Sequence, residues 1–318
     1  MKTQIRILIV VILFASEACK KETAEIVPPP APGGNQDNYS SMKDFYAKNS
    51  VPVQTYTIDA AAGGSFTSPK GTHVTIPANA FTTMAGGIVS GNVTVQFKDI
   101  YKKSDMLLSD IATVTSTSPL VSGGEFFLEV KSETQPLIVA PGKNLTVEMP
   151  AANPNTAMQA FIGVADTVIG GTENKPVTWI PSPQISLLAT ATGYLWSGNW
   201  LGWGNSDNSF TFQGLPQIKL TCHPTDDPTI YQTDVFMVFK SINTCIHVYR
   251  NYNGQINDFS YLYSPTGLQC TIVAVGIKNG KLYSSFIPIT ISSSAQTVNF
   301  TLSKTTTDDF KAKLNALN

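Results

Sequence analysis

"NVTVQFK", residues 92–98, puts Val93, Val95 and Phe97 on one side of an extended chain and Thr94, Gln96 and Lys98 on the other. Successive side chains of a strand point to opposite faces, so a period of two marks a strand with one buried face. The period recurs in "EFFLEVK" (125–131), which aligns Phe126, Leu128 and Val130, and in "NLTVEM" (144–149), which aligns Leu145, Val147 and Met149. Between these runs stand "AAGGS" (61–65), "MAGGI" (84–88), "VSGGE" (121–125) and "APGK" (140–143), each interrupted by Gly or Pro. Short strands closed by such turns predict an antiparallel β-sandwich. "YKKSDMLLSD" (101–110) is the one plausible short helical turn within it.

Upstream, "GGSFTSPKGTHVTIPANAF" spans Gly63 to Phe81 and leads into "GNVTVQF" and "SGGEFFLEV". Paired glycines permit a backbone with positive φ or a close chain approach, and Pro77 cannot donate to a sheet ladder, so it marks a strand end. In this arrangement Gly63, Gly64, Gly71, Ile76, Pro77, Ala80 and Phe81 resemble the signature of a ZU5-type domain, over about Gln54 to Pro150. The resemblance implies a β-sandwich interaction module at residues 51–150. Some members of that family cleave themselves at a His-Phe-Ser type sequence. Here His73 is followed by Val74, so self-cleavage is not implied.

Residues 151–213 are less regular and read as a connecting, Trp-rich β segment. "GGTENKPVTWIPSP" (170–183) has the look of a hairpin excursion, and "YLWSGNWLGWGNSDNSF" (194–210) holds Trp196, Trp200 and Trp203 within eight positions. Two readings stand. The indoles plug the joint between two sandwiches, or they form a platform on which a sugar ring stacks.

From residue 214 to 303 the strand pattern returns. "DVFMVFKSI" (234–242) is a nearly continuous apolar run suited to a central strand, and "TVNFTLS" (297–303) aligns Val298, Phe300 and Leu302. Asn279-Gly280 between two strand-like runs is the strongest hairpin signal in the chain. This part is similar to small immunoglobulin-like or transthyretin-like sandwiches. In residues 304–318, Thr307 can cap a short helix with Asp308 and Asp309 in its first turn, burying Phe310, Leu314 and Leu317. The predicted fold class is therefore all-β: tandem antiparallel sandwiches, ZU5-like then immunoglobulin- or transthyretin-like, with a short C-terminal helix.

The opening residues say where such a body belongs. Lys2 and Arg6 precede an apolar run, Ile7 to Phe14, and the small residues Ala15, Ser16 and Ala18 lead to Cys19. This layout predicts a signal peptide at 1–18, too short to span a bilayer. A cysteine in that place resembles a bacterial lipobox, which implies acylation of the Cys19 thiol. Ser16 and Glu17 depart from the usual lipobox. An ordinary secretory signal cut near Ala18 is the alternative. Lys20, where Asp would suggest inner-membrane retention, implies the outer membrane, facing the periplasm or the exterior. Residues 19–50, with their Pro run at 28–32 and Gly33-Gly34, read as a disordered tether.

Composition narrows the chemistry. Among 318 residues, 42% are hydrophobic, only 14% charged, and the net charge is −1, so no basic field exists to draw nucleic acid. Only His73, His223 and His247 are present as histidines, and no nucleophile elbow, zinc-protease helix or phosphate loop occurs. Export favours a disulfide among Cys222, Cys245 and Cys270; buried free thiols, or a metal site using Cys245 and His247, are the alternatives. "NSDNS" (205–209) and "TDDPT" (225–229) offer oxygen ligands, but neither has a calcium-loop spacing, and Asp226-Asp227 and Asp308-Asp309 read as solvated pairs. No cofactor, metal or catalytic residue is implied. The expectation is a non-enzymatic, lipid-anchored envelope protein that binds or scaffolds a protein or glycan partner, with a glycan-binding lipoprotein as the alternative.

Overall fold

The computed structural model describes residues 25–27, 37–165, 177–209, 212, 214–226, 232–250 and 258–318. The predicted signal peptide, Cys19, Asp227 and much of the predicted tether lie outside the described residues. The first strands are β1 (Glu25–Val27), β2 (Gln54–Asp59), β3 (Gly64–Thr67), β4 (His73–Ile76), β5 (Phe81–Thr83) and β6 (Asn92–Ile100). Next come β7 (Val121–Ser132), β8 (Gln135–Val139), β9 (Leu145–Pro150), β10 (Gln159–Ala165) and β11 (Val177–Pro181). The Trp-rich stretch supplies β12 (Ser186–Ala189), β13 (Gly193–Gly198) and β14 (Gly202–Asn208). Among the described residues three short helices are interspersed: α1 (Met42–Asn49), α2 (Lys103–Leu108) and α3 (Thr307–Asn315).

Alternation decides the packing of the first sandwich. One sheet runs β1-β2-β6-β7-β14-β10-β11, with β8 attached to β7 and β5 to β8; the facing sheet runs β12-β13-β9-β4-β3. Val93, Val95, Phe97, Phe126, Leu128 and Val130 point inward from the first sheet and meet Leu145, Val147 and Met149 from the second. Gly63 makes the turn before β3 possible: its φ is +74°, and a Cβ there would stand 2.5 Å from the Ile76 carbonyl oxygen. Only glycine fits.

The sandwich does not stop at residue 150. β14 is hydrogen-bonded between β7 and β10, and β13 between β9 and β12. The expected connector is thus part of both sheets of the first sandwich, because strands ending at Pro150 would leave the edges of β7 and β9 unpaired.

The second sandwich holds β15 (Gln217–Pro224), β16 (Gln232–Phe239), β17 (Cys245–Arg250), β18 (Phe259–Pro265), β19 (Gln269–Lys278), β20 (Lys281–Thr290), β21 (Gln296–Phe300) and β22 (Ser303–Lys304). Their order is β21-β15-β18-β17-β16-β19-β20-β22. The path folds over at β17 and β18, which share only two residue pairs. Its strands are antiparallel except that β15 and β21 run parallel. Leu220, Met237, Ile246, Ile272, Val298 and Phe300 are among the residues buried between its halves. Asn279 and Gly280, at φ +51° and +75°, form the tight turn joining β19 to β20. Positive φ at both central residues matches strand twist in a two-residue hairpin.

β16 and β19 bury both faces, which explains their unbroken apolar runs. Their outer residues Phe236, Val238, Val273, Val275 and Ile277 join a third apolar cluster between the two sandwiches. Across this seam stand Ile100, Leu120, Phe161, Trp179 and Trp203 of the first sandwich, with Phe45 of α1, Met106 of α2 and Phe310 and Leu314 of α3 between.

The predicted tether is too long at its C-terminal end. α1 lies within residues 19–50, capped by Ser41, whose Oγ accepts from the Asp44 amide at 3.1 Å. Phe45 is fully buried, and Tyr39 Oη lies 2.6 Å from Thr307 Oγ1. Apolar residues at Met42, Phe45 and Tyr46, three and four apart, give α1 a face to bury. β1, also inside the predicted tether, pairs with β2. α3 begins one residue earlier than expected: Thr306, not Thr307, is the cap, accepting from the Asp309 amide at 3.1 Å. Among the described residues no helix is long and apolar enough to cross a membrane.

Candidate functional site

The polar groups of greatest chemical interest lie in the seam. Phe127 of β7 packs toward it, and Glu125, two residues earlier, shares that face. Glu125 and Asp207 are both fully buried. Asn205 joins them, donating to Asp207 Oδ2 at 2.7 Å and to Glu125 Oε1 at 3.5 Å, while Ser122 donates to Asn205 Oδ1 at 2.9 Å. Asn205 and Asp207, two apart on β14, share a face, and the register shift beside them places the extra residue on β7, between Ser122 and Glu125. Burial raises both carboxyls well above their usual range, and for Glu125 the neighbouring Asp207 pushes the same way. Glu125 Oε2 and Asp207 Oδ1 are buried without a hydrogen-bond partner. Both shifts favour the neutral acid over the carboxylate.

A second cluster joins α1, the end of α2 and the second sandwich. Tyr46 donates to Asp234 Oδ2 at 2.9 Å, and His247 Nε2 lies 3.6 Å from Asp234 Oδ1. The His247 ring stacks on Phe236 at 4.8 Å between centroids. Burial works against the imidazolium, but the Asp234 contact and the nearby Asp110 and Asp234 charges outweigh it, and the His247 pKa ends above its usual value. Asp234 is correspondingly lowered: burial opposes ionisation, and contacts with His247 and Tyr46 prevail. Asp110 is pushed up to about 7, chiefly by burial. Within this group His247 and Asp110 hold their protons more tightly than free side chains would.

The remaining candidates are dispersed. His73 Nδ1 lies 2.9 Å from Thr67 Oγ1 in the facing sheet of the first sandwich. It lines a groove of about 420 Å³ with Glu148, Thr192 and Tyr194. His223 pairs with Asp258 at 2.6 Å on the surface of the second sandwich. A larger groove, about 690 Å³, runs along the strand ends beside the C-terminal residues, lined by Val238, Gln269, Thr271, Ile289 and Leu317. Asp226 Oδ2 accepts from the Leu302 amide at 3.2 Å, which ties the chain after β15 to the chain after β21. Of Asp308 and Asp309, the latter offers its amide to the Thr306 cap.

The tryptophans do not form a stacking platform. Trp196 is buried inside the first sandwich, edge-on to Phe126 at 5.2 Å. Of the three, Trp203 is the one that packs into the joint between sandwiches, edge-on to Trp179 at 6.4 Å. Trp200, partly buried, donates its indole N–H to the Trp203 carbonyl at 3.1 Å. Trp196 and Trp200 both pack on the core of the first sandwich and Trp203 on the seam, so the three rings form no common open face. Trp179, which the sequence reading passed over, is the second indole of the joint; its N–H reaches the Ala112 carbonyl at 2.9 Å.

The predicted disulfide is not formed. Cys222, Cys245 and Cys270 are free and buried. Cys222 and Cys270 belong to the interior of the second sandwich, whereas Cys245 faces the seam. Burial raises the Cys222 and Cys270 thiols to about 12 and raises Cys245 also, so all three are held as inert thiols. Cys245 and His247 do share a face of β17, but among the described residues no group of three or more His, Cys, Asp or Glu is arranged to hold a metal ion. No protein-family model and no curated protein matches the chain.

Proposed function

We propose that this chain is a non-enzymatic, lipid-anchored protein of the outer membrane whose two sandwiches act as one binding or scaffolding module, the first of them ZU5-like. The observation that carries the reading is the hydrogen-bonded, apolar seam. Lys103 donates to the Phe239 carbonyl at 2.6 Å, Asn243 to the Tyr101 and Ser122 carbonyls at 3.0 and 2.9 Å, and Thr244 to the Leu120 carbonyl at 2.7 Å. Such a joint suits a body that presents surfaces in a fixed relation, since a scaffold gains affinity from geometry set before its partner arrives. The three histidines lie in three separate settings, which favours binding over catalysis. Cys19 and the apolar run before it support the anchor.

The test combines fractionation with capture. Cys19→Ser should move the protein from the membrane to the soluble fraction or leave it unprocessed; recovery in the membrane at the wild-type level would remove the anchor. Crosslinked pull-down from intact envelopes should return a reproducible protein partner. Binding on a glycan array without any captured protein would replace the scaffold reading.

A further inference from the structure

Large apolar side chains left in water gather at one corner of the first sandwich. Ile88 is 85% exposed and Met84 73%, the two highest values among the large hydrophobic residues described, and Ile138 is 40% exposed. Thr82 stands opposite Ile138 in the β5–β8 ladder and opposite Ile88 in an isolated antiparallel bridge. Directly opposed residues project to the same face, so Ile88 and Ile138 flank Thr82 in one row. Met84 follows two residues after Thr82, at the mouth of the turn. The turn is closed by hydrogen bonds from the Gly86 amide to the Thr83 carbonyl at 2.9 Å and from the Gly87 amide to Thr83 Oγ1 at 3.0 Å. From Ala80 to Gly91, "AFTTMAGGIVSG", there is no charged residue.

The sheet topology says what faces this corner. β1 is antiparallel to β2, with Glu25 beside Thr57 and Val27 beside Thr55. The chain therefore enters the sheet at the end where β2 finishes and β6 begins, since Asp59 pairs with Asn92. Ile88 lies four residues before Asn92. The opposite end of β6 carries Ile100 into the seam. Five residues separate Cys19 from Glu25, and six extended steps span at most about 20 Å. An acyl chain on Cys19 thus holds the bilayer close to this corner and away from the second sandwich.

We propose that Met84, Ile88 and Ile138 rest in the bilayer surface beside the lipidated Cys19, so that the first sandwich stands end-on upon the membrane. The proposal rests on the anchoring of Cys19 put forward above. Burying exposed apolar area is favourable in proportion to that area, and an uncharged turn brings no ionised group that would have to be desolvated. Three side chains bind weakly by themselves. Attached to a lipid anchor, their contact becomes an intramolecular event at high effective concentration.

The test uses the full chain, lipidated by its host, with Ala85→Cys or Ser294→Cys carrying an environment-sensitive dye; the native thiols of the body are buried. On vesicles of phosphatidylethanolamine and phosphatidylglycerol, brominated lipids should quench the dye at residue 85 and leave that at 294 unaffected. Adding Met84→Asp and Ile88→Asp should abolish quenching at 85 while the protein still floats with the vesicles. A floating protein whose residue 85 escapes quenching overturns the docking and leaves the anchor standing. Shielding of residue 85 from aqueous iodide without lipid, increasing with protein concentration, would assign the corner to a second copy and also overturn it. Should the chain not float at all, the anchor fails. The docking, which rests on the anchor, falls with it.

Discussion

Tyr46 of the N-terminal helix donates its hydroxyl hydrogen to Asp234 of the second sandwich at 2.9 Å, across 188 residues of sequence. Asp234 also faces His247, so the bond ties the helix to the proton-binding cluster. Tyr46→Phe keeps the ring in the seam and takes away one donor. Leaving a partly buried carboxylate oxygen short of a partner costs about 1–3 kcal/mol. Urea unfolding should show a lower midpoint with an unchanged slope. An unchanged midpoint would mean that water replaces the hydroxyl without loss.

The three clustered tryptophans should separate by burial. Trp196→Ala and Trp203→Ala each remove a buried indole and should cost about 3–5 kcal/mol. Trp200→Ala, at a partly buried ring with one hydrogen bond, should cost distinctly less. Chemical denaturation of the three variants decides the order. Equal losses at all three positions would contradict the packing described.

Residues 51–150 should not fold alone. Without β13 and β14, β7 and β9 each lose a neighbouring strand, and Trp196 leaves a void beside Phe126. A fragment covering 51–209 restores both sheets. Calorimetry should find a cooperative transition in the longer piece and none in the shorter. A sharp transition in 51–150 would show that the first strands are self-sufficient.

Stability should fall as the pH rises through neutrality. Asp110 binds its proton more tightly when folded, with a value near about 7 against 3.8 ordinarily. Its contribution is full below about 3.8 and is lost on the way to about 7. Glu125, Asp207 and His247 are also raised and act with the same sign. Asp234 is lowered, so its contribution is present above its ordinary value and is lost only in acid. Asp110→Asn should flatten the decline between about pH 4 and 7, where a full proton difference amounts to about 1.4 kcal/mol per pH unit. Asn also tolerates the φ of +53° found at this position. Denaturation midpoints at a series of pH values check it, and a slope equal to that of the wild type would refute the assignment to Asp110.

Local pattern makes most of the strands legible. Val93, Val95 and Phe97 announce a buried face because period two is a property of the chain itself, and Asn279-Gly280 announces a hairpin because few residues accept positive φ. Phe310 and Leu314 likewise share one face of α3 and line the seam, and Leu317, just past the helix, packs against them. What escapes such reading is partnership between distant segments. Alternation in β13 and β14 says that the Trp-rich stretch has two faces, but not that those strands complete sheets begun at β7 and β9. Cys245 and Cys270 look alike in sequence, yet one faces the seam and the other the second interior. Glu125 reads as the polar residue of an alternating strand, and only a second sandwich laid over that face turns it into a buried acid.

The seam also governs the order in which the molecule can mature. Tyr39 meets Thr307 across 268 residues, and Ser104 bonds Asn318 across 214. Contacts so far apart reward the chain only after its long loops have closed, and chains dominated by them reach the native state slowly. Until then the outer face of β16 and β19, with Phe236, Val238, Val273 and Val275, remains uncovered. An uncovered apolar sheet invites association with other unfinished chains. The interval between closure of the two sandwiches and their docking is therefore the period in which this protein most needs protection.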